Sequence, residues 1–326
     1  MLPDLGEITS DESYAVRRNE LAFWEPWARH GLKSLGLPQP AVFRSPGKST
    51  NPVLIGDNGL VVKLYSEYWY GPSSLGSESE AYEVLSGQGL PVPELLGRGE
   101  LLPGATGWTW PFLVLSTVTG RPWWEVTEGA GRATGLALAR QVGELLGRLR
   151  HVPLTGPRIL SPTSPVFGDL LRERRAATVS DHRTWGHLPP HLVDAIDDFL
   201  PDVADLIGGV TPELVHGDLH GAHLFADPER GEVTGLIDFN DMYAGDFRYG
   251  LVQLHLSTFG ADRGLLAAAL DAAGWPVSGT FPEEMLAYSF LHDFEVFEGP
   301  LPDLTGIANL TELAHVLWDV SEPGAG

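Results

Sequence analysis

Apolar residues recur at helical spacing through residues 17–36, RRNELAFWEPWARHGLKSLG. There Leu21, Trp24, Ala28, Leu32 and Leu35 share one face, and Gly36 is a natural stop. The pattern then changes to short β-rich runs. NPVLIGDNGLVVKLYSE reads as a hairpin turning at Asp57-Asn58-Gly59, and VPELLGRGELL and WPFLVLSTV supply two further strands. Between them SLGSESEAYEVLSGQG predicts a helix with Leu75, Ala81 and Leu85 on its apolar side. After TVTGRPWW the helical period dominates. Residues 133–150 place Leu138, Val142, Leu145, Leu146 and Leu149 on one stripe, and further helices are predicted near 166–178, 190–207, 262–273, 282–298 and 307–318. Strand signals in this half are confined to ELV (213–215), HLFAD (223–227) and VTGLIDF (233–239). The C-terminal SEPGAG is expected to fray. The pattern predicts an α+β chain of two lobes: a strand-rich N-lobe over 1–116, joined near Ser116–Gly120 to a mainly helical C-lobe over 117–326.

Composition narrows the function. A chain of 326 residues exceeds the usual size of one core, which agrees with two lobes. The absence of cysteine excludes disulfides, thiolate catalysis and cysteine-ligated zinc. The acidic first residues lack a signal-peptide pattern and no apolar run is long enough to span a membrane, so a cytoplasmic, soluble monomer is expected. A formal charge of −22 argues against a nucleic-acid partner. The same field either serves solubility alone or raises the encounter rate of a polycationic ligand.

Four features carry chemistry. PGKST at 46–50 looks like the end of a phosphate-binding P-loop, but Val42 stands where the first glycine belongs and no long helix follows. A glycine turn around Ser49 is still able to offer backbone N–H groups to nucleotide phosphates. Lysine occurs only at 33, 48 and 63, and Lys63 ends an apolar strand run, GLVVKLY. That setting suits either a phosphate contact or a surface position on an edge strand. Of Glu78, Glu80 and Glu83 on the following helix, Glu80 is the expected partner of Lys63, one turn before Val84 and Leu85. The third feature is VHGDLHGAHLF (215–225). On a helix His216, His220 and His223 would share a face and suit zinc. Gly217 and Gly221, with strands on either side, favour a loop centred on Asp218 instead. In the fourth, IDF closes a strand with Asp238, either a buried structural carboxylate or one folded back toward the loop to bind Mg²⁺.

Taken in order, a strand lysine, a helix glutamate, HGDLHG and a downstream IDF resemble the kinase-like aminoglycoside phosphotransferase family. FWEPWARHGLKSLGLP, STNPVLIGDNGLVVKL, GPSSLGSESEAYEVL, LLRERRAATVSDHR, DMYAGDFRYGLVQLHL and FLHDFEVFE look most like its hygromycin B-modifying branch, and they span nearly the whole chain. The resemblance implies a protein-kinase-like fold with ATP or GTP and Mg²⁺ as cofactors. It places Lys63 on the nucleotide phosphates with Glu80 as its ion-pair partner, and Leu115, in FLVLS, on the strand leading to the base-binding connection. Asp218 becomes the catalytic carboxylate and Asp238 a metal ligand. His223 stands where the family carries asparagine, a departure that puts the metal site in question.

A cationic, hydroxyl-rich acceptor calls for an acidic site. If 282–298 is one helix, Phe290, Phe294 and Phe297 face inward and His292 and Glu295 face outward, with Asp293 and Glu298 on the flanks. These acids form either a substrate surface or a solvated face. Asp241, just after IDF, is the other substrate candidate. Trp123 and Trp124 suit either a sugar site or core packing.

Overall fold

The computed structural model describes residues 2–154 and 158–321; the tail residues 322–326 lie outside the described residues. The chain divides into two compact units, residues 1–86 with 91–118, and residues 87–90 with 119–326.

The first unit opens with α1 (Asp11–Arg17) and α2 (Leu21–Ser34). The helix expected over 17–36 is α2, which starts only at Leu21 because Glu20 takes an extended conformation; the residues before it belong to α1 and a short connection. Gly36 does end the element, at φ +67°. Strands β1 (Phe43–Arg44), β2 (Val53–Gly56) and β3 (Leu60–Leu64) follow, then α3 (Gly71–Leu85), β4 (Leu95–Glu100) and β5 (Pro111–Ser116). They form one antiparallel sheet in the order β1-β2-β3-β5-β4. Side chains alternate across a strand. Leu60, Val62 and Leu64 therefore join Phe23, Trp24 and Trp27 of α2 in the core on one face. Lys63, between Val62 and Leu64, is left to the opposite face. Gly31 of α2 lies so close to Phe112 of β5 that a Cβ there would sit 2.9 Å from the ring.

The second unit is mainly helical. After β6 (Arg121–Pro122) and α4 (Trp123–Thr127) come α5 (Arg132–Leu149) and α6 (Val166–Trp185). Next, α7 (Pro190–Asp194), α8 (Ile196–Phe199) and α9 (Val203–Ile207) replace the single helix expected over 190–207. Leu200 precedes Pro201 and is extended, as the proline ring requires of its neighbour. Strands β7 (Glu213–His216), β8 (Leu224–Asp227), β9 (Glu232–Leu236) and β10 (Met242–Gly245) then build two small sheets, β10-β7 and β6-β8-β9. Helix α10 (Arg248–Gln253) continues into a π-helical turn, Leu254–Thr258. The remaining helices are α11 (Arg263–Ala272), α12 (Phe281–Phe290) and α13 (Leu310–Trp318). Gly143 lets α5 meet α11 closely, since a Cβ there would lie 2.0 Å from the Ala269 carbonyl oxygen. No helix among the described residues is long and apolar enough to cross a membrane.

Candidate active site

In the first unit the sheet places Lys63 opposite Val53 and Leu113, facing α3. Its Nζ lies 2.8 Å from Glu78 Oε2, with both side chains buried, at 6% and 1% exposure. The expected pairing with Glu80 is therefore corrected. The partner is Glu78, and Glu80, two residues on, is turned about 200° around the helix to a half-buried flank. The Tyr65 hydroxyl donates to Glu78 Oε2, and that of Tyr82 to Oε1 at 3.4 Å. A buried ion pair needs such additional donors to offset desolvation of its charges. Ser49, expected near phosphates, has its polar groups engaged within the fold. Its N–H donates to Asn19 Oδ1 (3.0 Å) and its hydroxyl to the Asn51 carbonyl (2.6 Å). That leaves little for a phosphate. Leu115 is buried in β5 opposite Val61.

In the second unit residues 217–223 form a loop between β7 and β8, so the three histidines do not share a helical face. His216 is fully buried and its pKa is pushed down to about 4 by that burial. The neutral ring donates from Nε2 to the Ile237 carbonyl (3.1 Å) and accepts the Asp218 N–H at Nδ1 (3.1 Å). One side chain thus ties the backbone of Asp218 to the residue preceding Asp238. Gly217 donates to the Asp241 carbonyl at 2.6 Å, and a Cβ there would collide with Tyr243 and that carbonyl. Thr258, at the end of the π-helical turn, donates to the Leu219 carbonyl (2.7 Å), and the Trp123 N–H to that of Gly221 (3.0 Å). Trp123 is buried against Phe259, whereas Trp124 is exposed.

His223 stands between the two aspartates. Its Nδ1 is 3.4 Å from Asp218 Oδ2 and its Nε2 is 3.4 Å from Asp238 Oδ2. Asp238 has φ +66°, a left-handed conformation uncommon outside glycine but one aspartate tolerates better than most residues, at the turn after β9. The His220 ring lies beside that of His223, centroids 3.9 Å apart and planes tilted by 42°, with Nε2 3.9 Å from Asp218 Oδ2. Burial lowers the His220 pKa. Ligand atoms of Asp218, His220 and His223 lie within 4.8 Å of one another.

The acidic residues beyond the loop divide. Tyr243 is raised well above an ordinary phenol, first by burial and then by the charges of Asp241, Asp293 and Asp218. The charges of those three carboxylates therefore all reach the Tyr243 ring, which packs against Gly217 of the loop. The expected helix over 282–298 stops at Phe290. Thr178 of α6 donates to the Phe290 carbonyl and Arg174 to that of His292, so side chains take carbonyls at the point where the helical ladder ends. The outward polar face assigned to His292 is corrected accordingly. His292 is buried and stacked on Tyr249 at 4.6 Å, and burial lowers its pKa to about 4. Asp293 and Glu298 are exposed. Glu295 is half-buried and its carboxyl is raised by desolvation; Oε1 accepts the Phe297 N–H while Oε2 is buried without a hydrogen bond.

Residues 44–286, with Lys63, Asp218 and Asp238 inside them, match the family model described as the phosphotransferase enzyme family. The chain belongs to the phosphotransferase enzyme family. Among solved structures, this phosphotransferase is similar to the aminoglycoside phosphotransferase APH(3'')-Id of Streptomyces rimosus in complex with ADP and streptomycin. That match has 18% identity, 82% of this chain and 97% of the other covered, and a TM-score of 0.59. It is also similar to a thermostable mutant (D198A) of APH(4)-Ia in ternary complex with ADP and hygromycin B, at 15% identity, with 81% of this chain and 88% of that one covered and a TM-score of 0.55. These likenesses show the kinase-like two-lobed α+β fold. The lysine-specific demethylase JMJ21 of Arabidopsis thaliana is 24% identical over 227 residues, 58% of this chain. The phosphotransferase spans only 23% of that protein's length, and nothing of the whole protein's activity follows for it.

Glu78, Tyr243 and Thr258 were not singled out from sequence. Glu78 was within reach, because Ser77, Glu78, Ala81, Tyr82 and Leu85 share the buried side of α3. Tyr243 and Thr258 had no signal: their roles depend on β10 pairing with β7 and on the π-helical turn.

Proposed function

We propose that this phosphotransferase transfers the terminal phosphoryl group of ATP to a hydroxyl of an aminoglycoside, with the 7''-hydroxyl of hygromycin B as the expected acceptor. The observation that carries the reading is the placement of Asp218 and Asp238 on the two sides of His223, 3.4 Å from its two nitrogens, on a loop fixed by His216 and Thr258. Asp218 orients the acceptor hydroxyl and takes its proton late, since the loose transition state of phosphoryl transfer depends on positioning and charge neutralisation more than on a strong base. Lys63, held by Glu78, pairs with nucleotide phosphates. The donor set fits a divalent cation: an aspartate oxygen and an imidazole nitrogen lie 3.4 Å apart. Asp238 and His223 would hold that ion, which when bound supplies charge neutralisation for the phosphates.

Asp241 and Asp293, whose charges reach Tyr243 together with that of Asp218, offer ammonium groups of the acceptor a negative surface. Glu295 and Glu298 extend it along the segment after α12. This arrangement and the resemblance of the long sequence stretches support the hygromycin B branch; another small amino sugar or amino alcohol is the alternative acceptor. The test is ATP consumption across a panel of aminoglycosides and amino alcohols, repeated with GTP, followed by mapping of the phosphate in the product. Turnover of hygromycin B with modification of the 7''-hydroxyl supports the proposal. Turnover of other acceptors alone moves the substrate class.

A further inference from the structure

Helix α13 ends against the π-helical turn Leu254–Thr258, which also holds the catalytic loop. The last carbonyls of a helix have no partner within it. In α13 the Leu317 carbonyl accepts a hydrogen bond from His255 Nε2 at 2.8 Å, and the Asp319 carbonyl just beyond accepts one from Arg263 Nη1 at 3.1 Å. The His255 ring lies against the Trp318 indole, centroids 4.6 Å apart. A carbonyl only accepts, so His255 Nε2 bears the hydrogen and Nδ1 the lone pair. His255 is fully buried, and its Nδ1 and the Trp318 Nε1 have no hydrogen bond. An unsatisfied buried nitrogen lowers stability, and an apolar side chain at 255 would avoid it. What the imidazole adds is the one N–H directed at α13.

The other side of the turn reaches the loop. Thr258 donates to the Leu219 carbonyl at 2.7 Å, next to Asp218. Phe259 packs on Trp123, whose N–H donates to the Gly221 carbonyl at 3.0 Å. The turn is widened: the Phe259 N–H reaches back five residues to the Leu254 carbonyl, at 2.8 Å. In a regular α-helix residues three apart share a face. On this turn His255 and Thr258, three apart, take carbonyls of two different elements, the end of α13 and the catalytic loop. Single π-helical turns are rare and recur at functional sites. The turn has little room to shift, since a Cβ on Gly299 would already lie 3.0 Å from the Leu256 carbonyl oxygen.

We propose that His255 is a positioning residue for phosphoryl transfer: it fixes the π-helical turn to the end of α13, and the turn, through Thr258, fixes the loop that carries Asp218. The proposal rests on the phosphotransferase reading in taking Asp218 as the group whose placement sets the rate. It is tested in the full-length protein with His255→Met, which removes the N–H, and His255→Gln, whose side-chain amide supplies one again. At saturating ATP and acceptor, His255→Met should lower kcat about tenfold with little change in the KM for ATP, and His255→Gln should recover most of the loss. The double variant with Thr258→Val should also fall about tenfold, not about a hundredfold, because both act through one contact. Amide exchange gives a reading independent of turnover. In His255→Met the hydrogen-bonded amides of Gly217, Asp218 and His223 should exchange faster, while those of α6 keep wild-type rates. If His255→Met does not fold, Arg263→Met, at a half-buried position, removes the second tie to α13 and should shift kcat and loop exchange in the same direction. Wild-type kcat in His255→Met, a loss confined to KM, multiplicative losses in the double variant, or no rescue by glutamine would each overturn the proposal. So would exchange that quickens equally in α6, or an Arg263→Met variant unchanged in both readings. Faster loop exchange in His255→Met, with no transfer by the wild type, removes the phosphotransferase reading and spares the tie; wild-type kcat in that variant does the reverse.

Discussion

Replacing Glu78 by glutamine keeps the shape of the side chain and removes its charge. In the folded protein Lys63 Nζ is 2.8 Å from Glu78 Oε2, and both side chains are almost fully covered. The variant therefore takes away the carboxylate 2.8 Å from a buried ammonium. Breaking a buried pair from one side costs about 3–5 kcal/mol, most of it the uncompensated charge. Only one of the Tyr65 and Tyr82 hydroxyls, which donate to different carboxylate oxygens, can still donate to the single glutamine oxygen, so the expected loss is about 3–5 kcal/mol. Urea unfolding of wild type, Glu78→Gln, Lys63→Met and the double variant measures it. The double variant should be less destabilised than the sum of the singles, with a coupling of about 1–3 kcal/mol. Glu80→Gln, on the half-buried flank, should cost less than about 1 kcal/mol. If Glu78→Gln unfolds within about 0.5 kcal/mol of wild type, or Glu80→Gln is the more damaging, the assignment of the lysine partner is wrong.

Acid should destabilise the fold in a defined window. His182, His216, His255 and His292 are buried and lowered to about 4, against an ordinary value near 6.5. The unfolded chain binds more protons between those values, so stability is intact above about pH 6.5 and falls as pH drops toward 4, by about 1.4 kcal/mol per group per unit. Stability that stays flat from pH 7 to pH 5 in urea titrations would contradict this. Gly143→Ala should cost about 1–3 kcal/mol or more, because the methyl group has to displace the Ala269 carbonyl; a thermal midpoint equal to wild type would refute the close approach of α5 and α11. Thr258→Val, which removes the donor to the Leu219 carbonyl, should lower kcat about tenfold with little change in the KM for ATP, and Thr258→Ser should restore it. A loss confined to KM would place Thr258 outside the positioning of the loop.

Much of this was legible because the signals are local. The alternation around Val62 and Leu64 located Lys63 on a strand, and the glycines at 217 and 221 turned a histidine cluster into a loop. What escaped depends on contacts distant in sequence. The choice between Glu78 and Glu80 is a matter of helix phase relative to a strand placed elsewhere in the chain. The end of α12 is set by Thr178 and Arg174, more than 100 residues earlier, so the apolar spacing of Phe290, Phe294 and Phe297 suggested a helix that does not continue. The phenylalanines at 290 and 297 still pack together, 5.7 Å apart, but through a turn.

The central claim is that Asp218 serves phosphoryl transfer to an aminoglycoside hydroxyl. The most direct measurement is mass spectrometry of hygromycin B incubated with ATP, Mg²⁺ and either the wild-type protein or Asp218→Asn. The account predicts a singly phosphorylated product from the wild type and a rate lower by about 10²–10⁴-fold in the variant, about 3–5 kcal/mol of barrier. An unmodified antibiotic with the wild type, or equal rates for the two proteins, would contradict it.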